Sequence, residues 1–204
     1  MDFLTSREEL RAQYKAAHER SLLKEMRSLD AHSKGFLKRS PFVLIGSSDG
    51  NGNADVTPKG DRPGFVTVLD DTTIAIPDRP GNNRLDTLEN IIVNPAVGLL
   101  FLIPGMDETL RINGEARVTA DQGLRERLMA EGKLPAAVIL VAVKAVYMHC
   151  AKAFMRSQLW TPATWPDRAS LPTLGQILKD QIGLADSAEA TDRALAESYA
   201  QTMW

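Results

Sequence analysis

Cysteine is almost missing: Cys150 is the only one in 204 residues, so no internal disulfide can form and no CxxC pair can found a structural zinc site. Such usage fits a reducing compartment, and the cytoplasm is the expected location. Histidine is nearly as scarce. His149, beside Cys150, has no second histidine or carboxylate at a ligand spacing, and His18 and His32 fall in an N-terminal helical region, so no metal is expected. Neither sign of charge is in excess, with 24 basic and 26 acidic side chains giving a formal net charge of -2. Without a block of like charge, neither nucleic acid nor a membrane surface is an expected partner. Long apolar runs are also lacking. The most apolar one, Ala136 to Val143, is too short to span a bilayer, and Met1 to Glu9 has no apolar signal core. There is no G-x-S-x-G elbow, no Walker loop and no G-x-G-x-x-G after a strand, which leaves hydrolase, nucleotidase and Rossmann chemistries without their carriers.

What is present is a chain 44% hydrophobic, long enough for one buried core. Ser6 followed by Glu9 is a capping-box pattern, predicting a first helix to about Ala17. Asp30 as N-cap, with Leu29, Phe36 and Leu37, predicts a second helix that Ser40-Pro41 stops. From there the texture is short and β-rich. Phe42 to Gly46 and Ala54 to Thr57 flank Asp49-Gly50-Asn51-Gly52 as a hairpin, and Phe65 to Leu69 and Thr73 to Ile76 flank Asp70-Asp71 as another. Leu85, Leu88, Ile91 and Ile92 predict a short helix over Arg84 to Val93, ended by Asn94-Pro95. Val97 to Leu102 and Thr109 to Val118 follow as strands, and Ala137 to Met148 reads as a strand buried on both sides. About six antiparallel strands with few helices point to a mainly β fold with peripheral helices, as a closed or nearly closed barrel. Ala151 to Leu159 is a candidate helix, Trp160 to Pro172 a loop, and Leu174, Ile177, Leu178 and Ile182 an amphipathic stripe. The expected organisation is a single domain: helices over 1–40, a barrel core over 41–160 and a helical extension over 161–204.

Chemistry concentrates in three clusters. Pro77 to Arg84 sets two arginines, a glycine and two asparagines between a strand and a helix, where backbone N–H groups and guanidinium forks can meet phosphate oxygens. An ordinary polar turn would use the same residues, and spacing alone leaves the two readings open. Thr57-Pro58-Lys59-Gly60-Asp61 ends a strand and opens a loop, in which Lys59 can approach a phosphate or the electron-rich edge of a ring, or simply face water. Lys152 and Arg156 lie four apart, on one face if the segment is helical, either as two cations for a ligand or as a solvated face, and Arg111 sits between Leu110 and Ile112 in a strand, where it either faces water or needs a partner. With no evident catalytic acid, base or nucleophile, such a barrel would draw its chemistry from a cofactor.

Taken in order, Ser40-Pro41-Phe42, Thr57 to Asp61, Arg79-Pro80-Gly81-Asn82-Asn83-Arg84, Asn94-Pro95, Leu110 to Gly114 and His149 to Ala153 resemble the pyridoxamine 5′-phosphate oxidase-like flavoproteins. The resemblance runs from about Asp30 to Trp160. It implies a six-stranded antiparallel split β-barrel and a homodimer with two FMN sites built by both chains. It assigns Arg79, Asn82, Asn83 and Arg84 to the FMN phosphate and ribityl region, and Thr57, Pro58, Lys59 and Gly60 to the flavin ring and its polar edge. Arg111 would lie near the ring, and Lys152, Arg156, Ser157 and Trp160 would close the site from the partner chain. The C-terminal arginine and histidine segment that binds substrate in true pyridoxamine-phosphate oxidases has no counterpart here. The expected function is therefore FMN-dependent oxidoreduction of an unnamed small molecule. The alternative is a carrier or sensor that binds flavin, a deazaflavin or haem without turnover.

Overall fold

A computed structural model describes residues 1–203; Trp204, the last residue of the expected extension, lies outside them. Two short helices, α1 (Arg7–Ala12) and α2 (Glu19–Leu23), begin the chain and bury none of their residues. The Ser6/Glu9 capping box forms, but α1 stops well before Ala17, because no packed surface repays the ordering of further turns. In α3 (Ala31–Leu37) the Asp30 carboxylate accepts from the Ser33 N–H at 2.7 Å, and Phe36 and Leu37 enter the core.

Among the described residues seven strands follow, one for each run read as a strand and one more than the six of the expected barrel: β1 (Phe42–Ser48), β2 (Ala54–Gly60), β3 (Thr67–Asp70), β4 (Thr73–Asp78), β5 (Ala96–Leu102), β6 (Thr109–Thr119) and β7 (Ala137–His149). Helix α4 (Asp86–Val93) joins β4 to β5, and α5 (Gln122–Arg127), which the sequence pattern did not announce, joins β6 to β7. All pairings are antiparallel, in the order β2-β1-β5-β6-β7-β4-β3. Both hairpins form, but the ladder does not close, since β2 and β3 are edges. Strand β2 runs on through Pro58 to Gly60, where a loop was expected. A proline is tolerated there because an edge strand has no ladder bond to lose on its free side.

The sheet wraps one main core. Alternation sends Val43 and Ile45 of β1, Leu99 and Phe101 of β5, and Leu110, Ile112 and Ala116 of β6 inward, all nearly or fully buried. Strand β7 is buried on both faces only at its start. Ile139 joins the main core, while Val138 packs with Ala75 and Leu128 in a second small cluster on the outer side. Further along, Ala142 and Lys144 are exposed. Beyond the sheet lie α6 (Lys152–Ser157), two single-turn 3₁₀ segments, and a hairpin of α7 (Leu174–Ile182) and α8 (Ala188–Thr202).

The open seam is bridged by side chains. Lys59 on β2 pairs with Asp78 at the end of β4 (2.6 Å), and Asp61, just past β2, pairs with Arg79, just past β4 (2.7 Å). These two ion pairs tie an edge strand to a strand that it does not touch through its backbone. Their side chains are 3 to 20% exposed, so neither member can be removed without stranding a charge away from water.

Candidate functional site

Period-2 alternation along β2 turns Asp55, Thr57 and Lys59 toward the seam and Val56, Pro58 and Gly60 away from it. Opposite them β4 ends at Asp78, the exposed loop Pro80 to Leu85 follows, and α4 begins. With Leu134 and Ala136 from the segment before β7, these residues enclose a groove of about 700 Å³, within the size range of small-molecule and cofactor sites.

The loop has an uncommon backbone. Asn83 and Leu85 both lie in the left-handed region, at φ 56° and 62°, a conformation that asparagine tolerates and leucine seldom adopts. The turn is drawn in by the Arg84 N–H, which donates to the Asn82 side-chain oxygen at 3.1 Å. Leu85 occupies the N-cap position of α4 and offers no side-chain cap. In the first turn of that helix Thr87 donates its hydroxyl to Asp55 at 2.7 Å, fastening α4 to β2.

Each cation of the groove meets a carboxylate. Lys59 is held by Asp78. Arg79 directs Nε to Asp61 and Nη1 to the Leu128 carbonyl, at 2.7 and 2.9 Å, so that it acts first as a strut of the seam. Arg84 pairs with Asp86 at 2.5 Å, but here the side chains are 76% and 44% exposed. An exposed pair of this kind contributes about 0–1 kcal/mol, so Arg84 is the cation free to change partner. The acidic side of the groove, Asp55, Asp78 and Asp86, was not singled out from the sequence. The alternation Asp55-x-Thr57-x-Lys59 was the signal that could have placed at least Asp55 there.

Of the thirteen residues assigned from the sequence, Thr57, Lys59, Arg79, Asn82, Asn83 and Arg84 line this one groove. Pro58 and Gly60 belong to the same strand but face outward. The others lie elsewhere on the single chain. Arg111 is exposed on the outer face of β6, its guanidinium reaching the Tyr147 hydroxyl at 3.2 Å. Lys152, Arg156 and Ser157 are exposed on α6. Trp160 stacks on Phe154, with centroids 5.9 Å apart, and donates its indole N–H to the Met106 carbonyl at 2.9 Å. Among the described residues no group of three or more histidine, cysteine or carboxylate side chains could hold a metal ion. No helix among them is long and apolar enough to cross a membrane.

An antiparallel sheet rolled about one core, with its seam bridged by ion pairs and a polar groove opening there, is a split-barrel protein. Residues 29–150, more than half of the chain, match the family model described as pyridoxamine 5′-phosphate oxidase, and the chain belongs to that family. Its fold is shared with HupZ of Group A Streptococcus, at 16% identity over 59% of this chain and 93% of that one, with a TM-score of 0.50. Other similar structures are the FAD binding protein from Mycobacterium smegmatis (17% identity, 61% and 97% coverage, TM-score 0.42) and General Stress Protein 26 from Bacillus anthracis (13%, 57% and 93%, 0.43). No curated protein matches the chain. The family match ends at Cys150, so Lys152, Arg156, Ser157 and Trp160 lie beyond it.

Proposed function

We propose that this protein binds FMN in the groove at the seam and uses it for electron transfer to or from a small molecule. The observation that carries the reading is the meeting, in one cofactor-sized groove, of Arg84 and the two asparagines of its loop with Lys59 and Thr57 on β2. The residues fit the cofactor. At one end an exposed guanidinium and asparagine amides match a phosphate ester and a polyol chain; at the other, Lys59 and the Thr57 hydroxyl present donors to the polar edge of a ring. Bound FMN would supply a ring that accepts and returns electrons. The chain's own part is then to hold the phosphate with Arg84 and to keep Lys59 fixed, through Asp78, beside the ring edge where charge develops on reduction.

The same reading calls for a homodimer, and the outer face of the sheet supports one. Pro58, Leu44 and Leu100 stand in one cross-strand row that continues to Arg111 and Tyr147, with Val56, Gly46 and Gly98 in the next. Neither glycine is required within the chain, because a Cβ on Gly46 or Gly98 would meet its nearest atom at 3.6 Å, an ordinary contact. Paired glycines inside strands, with room for side chains, suit close approach from outside. A second copy seated on this face would bring the exposed Arg111, and α6, which follows the end of β7 paired with Thr109, toward the partner's groove.

An absorption spectrum of the purified protein, followed by denaturation and identification of what is released, tests the cofactor. Release of FMN near one per chain is expected. Arg84→Ala should weaken FMN binding about 100-fold, the size of a lost charge-assisted pair of hydrogen bonds. A protein that neither carries nor takes up FMN would overturn the reading. Reduction of the bound flavin by NADH or NADPH, with reoxidation in air, would separate an oxidoreductase from a carrier.

A further inference from the structure

The three cations of the groove are not equivalent. Lys59 and Arg79 are enclosed and held by carboxylates that also tie β2 to β4, with side-chain exposures of 20% and 16%. Arg84 is 76% exposed, and its partner Asp86, two residues along at the first position of α4, is 44% exposed. Asp86 therefore occupies, on the one displaceable cation, the place that an anionic ligand group must take.

We propose that Asp86 is a built-in competitor for the ligand's phosphate: it holds Arg84 until a dianion displaces it, and so lowers the groove's affinity for phosphorylated ligands while leaving that for unphosphorylated ones unchanged. The inference rests on the proposal that the groove binds FMN. A monoanionic carboxylate two residues away satisfies Arg84 as well as most singly charged or neutral groups could, so such ligands gain little by replacing it. A phosphate monoester carries more charge and more acceptor oxygens, and forms the stronger paired hydrogen bonds. Its apparent affinity is reduced only by the fraction of molecules in which Arg84 is already engaged. For a solvent-exposed pair that fraction corresponds to about a 2- to 5-fold reduction. Repulsion between Asp86 and the bound phosphate acts in the same direction.

The test titrates FMN and riboflavin into full-length apoprotein by flavin fluorescence, comparing the wild type with Asp86→Asn and Asp86→Ser. Two neutral replacements are used so that altered packing at the start of α4 is not mistaken for the charge effect. Both variants should bind FMN about 3-fold or more tightly and riboflavin unchanged. In an Arg84→Ala background Asp86→Asn should lose most of that gain, because no guanidinium remains to compete for. FMN affinity that stays the same or falls in both variants would overturn the competitor role while leaving the cofactor reading intact, provided Arg84→Ala still weakens FMN. An equal gain for riboflavin, or a gain that persists undiminished without Arg84, would also overturn it. If neither wild type nor variants bind FMN, the cofactor reading falls and this inference with it.

Discussion

At the scale of single residues, the carboxylates of this chain act by accepting N–H groups as much as by pairing with cations. Asp30 is the clearest example. Its side chain caps α3, and the backbone N–H of Ser33, followed by the Ser33 hydroxyl, holds the carboxyl below its ordinary value. A group with a lowered pKa in the folded state stabilises the protein above its unfolded value of about 3.9, and that contribution is lost as pH falls through the folded value. Asp30→Ala should therefore lower stability at pH 7 by about 1 kcal/mol, since α3 carries Phe36 and Leu37 into the core. Asp30→Asn retains an acceptor and should stay close to the wild type at neutral pH, and its stability should fall less than the wild type's on acidification. Urea unfolding at pH 7 and pH 3 reads both effects. An unfolding midpoint for Asp30→Ala equal to that of the wild type at pH 7 would show that the cap is dispensable.

At the scale of elements, β6 and β7 form the longest ladder, and its register shifts between Asn113 and Gly114. A Cβ at Gly114 would lie 2.3 Å from the Ala142 carbonyl oxygen and 3.0 Å from Val141. Gly114→Ala must push two central strands apart, so a loss of about 3 kcal/mol is expected, lowering the melting temperature by about 10 °C. Gly123→Ala, exposed in α5 with an ordinary contact at 3.5 Å, should not lower it; equal melting of the two variants would contradict the crowding at the bulge. The strands themselves were legible from alternation and turn residues, as was α3 from its cap and apolar spacing. Helix α5 was not legible, for its six residues carry Leu124 as their only large apolar side chain and form no stripe. Helix α1 is shorter than its capping box suggests, because such a box starts a helix but only packing extends it. The candidate groove was half legible: Arg84 and its asparagines announce themselves in sequence, whereas the pairings Lys59–Asp78 and Arg79–Asp61 join residues 19 and 18 apart across a seam that no local periodicity encodes.

At the scale of the whole molecule, the groove is open toward solvent, and several cationic candidates stand away from it on the outer face and on α6. The proposed dimer, in which the outer face around Gly46 and Gly98 meets its copy, would bring them toward the partner's groove. Gly98→Glu sets bulk and charge on that face at a position where the chain itself has room. The isolated fold should tolerate it, with a circular dichroism spectrum like that of the wild type. Burying a carboxylate from each copy at such an interface is unfavourable, so sedimentation should find the variant monomeric and the wild type dimeric. Cofactor retention should fall at the same time, although Gly98 lines no part of the groove, because residues supplied by the second chain are then withdrawn. A Gly98→Glu protein that remains dimeric would place the interface elsewhere. One that becomes monomeric yet keeps its full FMN would show that a single chain suffices for the site, and that Arg111 and the α6 cations belong to the surface alone.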